Sequence, residues 1–376
     1  MTTSHQAPRP AWARALRKAR TDLGWDVHRL AVELLRAAGP EATATTESLT
    51  RRIREWEAGR STLRERYRLL LARVLQVDAE VFTQQPVGSG DAARVRAITS
   101  NVIALDEMTG GADLLPMAVR TARSAHQAAC TSGAAEMASA AAEALQVAGW
   151  LAFDANEHLL ARRLTSASVL TARAGGDRGS ELFALAQLAM QDAHEHRPDQ
   201  ARRVCEHTLD EQLSPRVRGL FELRLARAQG QEGTPDRAME TLRRARSRLR
   251  GEAQDRDPPW VWWITEAELA WHEAMIHADN GAWGRAVELF ESALHRRPAT
   301  YHRGALNDAS HLAHALVRVG SWQGAQEVLA KAVIPMLGHI RSGRTQALLV
   351  QVQQFANQTK SPASVRELAD HAASVQ

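Results

Sequence analysis

Gly281-Ala-Trp-Gly-Arg-Ala-Val-Glu-Leu-Phe-Glu-Ser-Ala-Leu-His-Arg-Arg-Pro298 is the stretch whose reading decides the fold. Ala286, Phe290 and Ala293 fall at offsets of four and seven, on one helical face, and a small–large–small face lets a second helix approach closely. The pattern recurs. Ala238 is followed by Leu242 and Ala245, and Ala325 by Leu329 and Ala332. Weaker copies begin at Ala161 (then Thr165) and Ala201 (then Cys205), so the anchor alanines are spaced by 40, 37, 48 and 39 residues. Three residues before each stands His158, Pro198, Pro235, Trp283 or Trp322, and glycine lies five before the last three as Gly233, Gly281 and Gly320. A period near 39 with helical pattern on both sides of a turn marks a stack of helical hairpins, each burying its apolar face against its neighbours. Pro298 and Pro335 read as helix stops, Gly251 to Pro259 as an insertion in the long gap, and Gly343 to Gln376 as a sixth, degenerate capping hairpin.

At these residues the chain resembles the tetratricopeptide-repeat family, most closely over 281–298. The rest of the composition agrees with an all-α protein. No run alternates at period two long enough to suggest a sheet, and tyrosine and phenylalanine number only two and six. No stretch of 18 apolar residues occurs, and Ala138 to Phe153, the nearest, is broken by Glu143 and reads as a buried helix. The opening Met-Thr-Thr-Ser-His-Gln-Ala-Pro-Arg-Pro lacks the apolar segment of a signal peptide, and Cys130 and Cys205 do not suggest a disulfide framework. A cytoplasmic protein without membrane contact is expected.

Charge divides the chain. Residues 1–85 hold 15 arginines and lysines against 10 acids, whereas the whole chain is only +4, so the N-terminal fifth carries the entire excess. That segment also has its own pattern. Trp12 to Leu23 reads as a helix closed by Leu23-Gly24, and Asp26 as the cap of a second with Leu30, Leu34 and Leu35 inward, ending at Gly39-Pro40. Thr46 to Ala58 places Leu49, Ile53 and Trp56 on one face and Thr50, Arg51, Arg52, Arg54 and Glu55 on the other, with Gly59 closing it. Arg64 to Leu75 and Asp78 to Phe82 complete the bundle.

The stretch Ile53-Arg-Glu-Trp-Glu-Ala-Gly59 with Arg60 resembles the lambda-repressor-like (XRE-type) helix-turn-helix family, and its union with tetratricopeptide repeats resembles regulators widespread in actinobacteria. Ile98 to Arg120 looks like the junction region of that group, and peptide-responsive quorum-sensing regulators of Gram-positive bacteria share the architecture. Two departures stand out: Val27 occupies the position where the family usually has a contacting glutamine, and the turn between Gly39 and Ser48 is lengthened. The implied organisation is a helix-turn-helix DNA-binding domain over 1–85, a linker over 86–91 within Gln84-Gln-Pro-Val-Gly-Ser-Gly90, and a solenoid over 92–376 for ligand binding and dimerisation.

The expected function is that of a sequence-specific regulator binding double-stranded DNA as a homodimer. Thr50, Arg51 and Arg52 are placed to read bases, and Arg54, Arg60 and Arg64 to hold phosphates. In a tetratricopeptide-type solenoid the first helix of each hairpin lines the ligand surface. Counting back 18, 15 and 11 residues from the anchors selects Asn307, Ser310 and His314; Glu268, Trp271 and Met275; Trp150; and Arg227. Asparagine offers both donor and acceptor to a peptide backbone, tryptophan a flat wall, arginine a carboxylate partner, so a peptide or small-molecule effector is expected. The competing expectation is an adaptor whose repeats grip a protein, with DNA binding secondary or lost. Trp260, Trp262 and Trp263 read as packing for the insertion. His194-Glu-His196 and the pair His311, His314 lack the further ligand that a zinc site needs, and no phosphate loop or nucleophile motif occurs, so no metal, cofactor or enzymatic activity is expected.

Overall fold

The computed structural model describes residues 11–38, 45–61, 63, 65–77, 82, 90–250, 257–258, 260, 264–297 and 301–375. Among these, every regular element is a helix.

α1 (Ala11–Asp22), α2 (Val27–Ala38), α3 (Thr46–Ala58) and α4 (Glu65–Leu75) surround one apolar core, here called the head. Leu16, Leu30, Leu34, Ile53 and Leu71 are fully buried there, and Trp56 leans on Tyr67 with ring centroids 4.6 Å apart. Local caps set the boundaries. Asp26 accepts from the Arg29 N–H at 2.6 Å to start α2, and Thr45 accepts from Ser48 N–H to start α3. Gly59 ends α3 in the left-handed conformation at φ +71°. A buried two-pronged ion pair, Arg20 to Glu57 at 2.6 and 2.9 Å, ties α1 to α3. The turn after Gly39, Arg64, most of the linker, most of the 251–259 insertion, Trp262, Trp263 and Pro298 lie outside the described residues.

Among the described residues seven hairpins follow: α5 (Gly90–Thr109) with α6 (Leu115–Ser132), α7 (Ala135–Asp154) with α8 (His158–Ala174), and α9 (Arg178–His194) with α10 (Pro198–Leu209). Then come α11 (Pro215–Gln231) with α12 (Pro235–Arg250), α13 (Glu266–Asp279) with α14 (Trp283–Arg296), α15 (His302–Arg318) with α16 (Trp322–Val328), and α18 (Gly343–Gln358) with α19 (Ala363–Ser374). The architecture is a tetratricopeptide-like stack. All five anchor alanines are 0% exposed, and His158, Pro198, Pro235, Trp283 and Trp322 are each the first residue of a second helix. The turn before them is the same in all five hairpins: Asn156, His196, Gly233, Gly281 and Gly320 have φ of 68°, 53°, 73°, 74° and 73°. A left-handed residue there reverses the chain, which glycine does without strain and asparagine at small cost.

Two expectations change. Pro335 does not stop its helix: a π-turn, Leu329–Val333, precedes it and α17 (Ile334–Leu337) continues beyond. The wider turn accommodates the ring and the missing N–H that a regular α-helix would not. The linker expected over 86–91 ends earlier, since α5 begins at Gly90.

The stack also closes on itself. Arg341 N–H donates to the Thr109 carbonyl at 2.8 Å, Arg341 pairs with Asp113 at 3.2 Å, and the fully buried Asp154 accepts from Ser342 at 3.0 Å. The last hairpin thus meets the first two, and the solenoid becomes a ring.

Candidate functional site

The first helices of the hairpins face inward and line a chamber of about 300 Å³. Helical spacing dictates which side chains reach it. Gln146, Trp150 and Phe153 come from α7, Phe183, Gln187 and Met190 from α9, Arg224 and Arg227 from α11, and Glu268, Trp271 and Met275 from α13. Asn307 and His311 come from α15, Arg344 from α18, Asp106 from α5, and Ala38 from the end of α2 in the head. The volume lies at the lower end of ligand pockets, and its mix of aromatic walls with few converging polar groups is typical of them.

Charge inside is organised in pairs. Arg303 meets Asp106 at 3.3 Å, Arg344 meets Asp154 at 3.3 Å, and Arg227 pairs with Asp279. Arg297 holds two acids, Glu268 at 2.7 Å and Asp308 at 2.8 Å. Burial opposes ionisation of Glu268, but Arg297 outweighs it and holds the carboxyl down to about 2. For Asp308 burial wins over the same arginine and lifts it to about 6. Arg303 lies 4.7 Å from the Trp150 ring centre and Arg344 5.1 Å from that of Phe153, so two cations cover the α7 aromatic pair. The Trp150 indole N–H donates to Asp106 at 3.1 Å. Arg224 differs: it donates to Nε2 of His272 at 2.9 Å, and burial drives that imidazole's pKa well below its usual value.

Of the residues selected by counting from the anchors, Trp150, Arg227, Glu268, Trp271, Met275 and Asn307 stand on the chamber wall. Ser310 and His314 do not: Ser310 is fully buried, and His314 meets Trp283 edge-on at 5.3 Å. In α15 the inward face is Gly304, Asn307 and His311, because this helix packs against α5 at the ring closure and sends Arg303 to Asp106. Sequence reasoning missed Arg224, Arg297, Arg303, Arg344 and Asp106. Arg224 precedes Arg227 by three residues and was legible as its neighbour on one face, whereas Arg344 sits in the hairpin read only as a cap. Trp260 stacks on Phe183 at 4.9 Å and donates to the Gly179 carbonyl, packing against α9.

The second set of expected residues lies on α3 and just after it. Arg51 and Arg54 are exposed, Thr50 is half-buried, and Arg60 is exposed beside Glu55 at 3.1 Å. Arg52 is engaged within the protein, donating to the Tyr67 hydroxyl at 2.9 Å and reaching the Asp257 carbonyl of the insertion at 3.5 Å.

No family model matches the chain, and no curated protein is similar to it. Solved structures of similar shape include a Rap protein complexed with competence and sporulation factor, 13% identical, with 95% of this chain and 96% of that chain covered and a TM-score of 0.47. Among the described residues no helix is long and apolar enough to cross a membrane, and no group of three or more histidines, cysteines and acids is arranged to hold a metal ion.

Proposed function

We propose that the chain is a sequence-specific DNA-binding transcription regulator whose ring senses a peptide or small molecule in the chamber. One observation carries the reading: the chamber and the head share a wall at Ala38, the last residue of α2, so an occupant would touch the head directly. A second contact, Arg52 of α3 to Asp257, joins the DNA-facing helix to the insertion between α12 and α13. Occupancy would act on the head at these two points, with a coupling on the order of 1–3 kcal/mol. An adaptor gripping a protein partner needs an open concave trough; the backbone closure between Arg341 and Thr109 favours the sensor.

In this reading α3 enters the major groove, Arg51 reads base edges and Arg54 and Arg60 hold phosphates, while Arg52 transmits. Two heads on one operator require a homodimer, which the ring is proposed to hold. Retardation of a genomic fragment by Arg51→Ala/Arg54→Ala tests the head: the double variant is expected to lose specific binding at unchanged helicity, the lost Arg51 base contact costing about 1–3 kcal/mol and the lost Arg54 phosphate contact weakening binding to any sequence. Equal retardation by the variant contradicts the assignment. Light scattering at twice the chain mass is expected, and a monomer in free and DNA-bound protein contradicts the dimer.

A further inference from the structure

Among the chamber arginines, Arg224 alone makes no ion pair with a carboxylate among the described residues, although the charge of Glu268 reaches it. Arg227, Arg297, Arg303 and Arg344 each have one within ion-pair distance, and Glu268, the nearest candidate, is held by Arg297. Arg224 is 8% exposed, its Nε has no hydrogen-bond partner, and its one bond goes to His272, whose pKa burial drives well below its usual value. A buried guanidinium with no carboxylate in contact and donors left unused is costly, and a ligand carboxylate would answer both. A second unused donor belongs to the residue next to His272 in α13. The Trp271 indole N–H is buried without a partner, and its ring meets His272 edge-on at 5.0 Å. Arg224 and Trp271 both line the chamber, with Phe183, Met190, Leu220 and Met275 supplying apolar wall.

We propose that Arg224 and the indole N–H of Trp271 form the seat of a carboxylate carried by a ligand with an apolar body. The proposal rests on the chamber being the sensing site and names the class of ligand it takes. One unmatched guanidinium suits a monoanion; a phosphate dianion would bring a second charge that nothing there answers. A carboxylate on an apolar body is offered both by a free organic acid and by the C terminus of a short peptide.

The test uses the full chain and paired probes: hexanoate and 3-phenylpropanoate against hexanol and 3-phenylpropan-1-ol, and acetyl-Leu-Phe as the acid against its amide. Titration calorimetry and melting shifts should show each binding acid at least about tenfold tighter than its neutral partner. Whether free acid or peptide acid binds tighter identifies the source. Arg224→Met should abolish the preference yet melt no lower than wild type, because it removes an unmatched buried charge; Arg224→Gln, which keeps a donor to His272, serves if Met disturbs the fold. Equal binding of acids and neutral partners, no shift with any carboxylate probe, or a preference surviving in the Arg224 variants overturns the seat. If the acids bind at Arg224 and DNA retardation does not respond, the seat stands and the sensing reading fails.

Discussion

Glu268 and Asp308 hang on the same Arg297, and burial sorts them: the first stays ionised down to about 2, the second is lifted to about 6. Glu268 lies below its ordinary value of 4.5, so its contribution to stability is whole above that value and disappears as pH falls through about 2. Glu268→Gln should therefore destabilise the protein at pH 7, and its deficit against wild type should shrink below pH 4.5; a deficit of constant size across denaturation midpoints at both pH values contradicts the pairing. The two cysteines give a second check. Cys130 is exposed and Cys205 is fully buried, with burial pushing that thiol far above its usual range. A thiol reagent should titrate one group in the native protein and two after unfolding. At this scale the sequence placed Trp271 and Arg227 by counting along a helix. The partner of Arg227 escaped it, because Asp279 is brought there by packing of α13 on α11 rather than by the repeat.

Among the elements, the hairpin is the unit that sequence reading resolves best. The anchors Ala161 to Ala325 mark the second helices because a residue larger than alanine cannot occupy the closest approach of paired helices. Ala286→Leu should cost about 1–3 kcal/mol or more by overpacking. Gly281 tests the turn. Its φ is +74° and a Cβ there would meet no atom within 4 Å, so Gly281→Ala carries backbone strain alone, about 1–2 kcal/mol. Asn156 already occupies the same turn position in the first of these hairpins, so Gly281→Asn should cost less than Gly281→Ala by denaturant midpoint. The π-turn before Pro335 and the rotated face of α15 were not legible. The first answers a local clash by widening the helix, and the second answers the contact with α5, neither of which a period of about 39 encodes.

For the whole molecule, ring closure decides most and shows least in the sequence, since it joins residues 109–113 and 154 to residues 341–344. It depends on close approach. A Cβ on Gly343 would stand 2.4 Å from the Ala155 carbonyl oxygen, so Gly343→Ala should part the seam. Lower melting and a larger radius of gyration by small-angle scattering are expected; an unchanged radius contradicts a closed ring held at that point. The +5 balance of residues 1–85 and the exposed Arg51 and Arg54 remain the grounds for a DNA-facing head, and Ala38 the ground for coupling it to the chamber. The most direct test incubates the full chain with random and genomic DNA fragments and sequences what is recovered. A DNA-reading head should enrich one short motif, repeated at about one helical turn and lost with Arg51→Ala/Arg54→Ala. Recovery without an enriched sequence, or the same enrichment by the double variant, contradicts it.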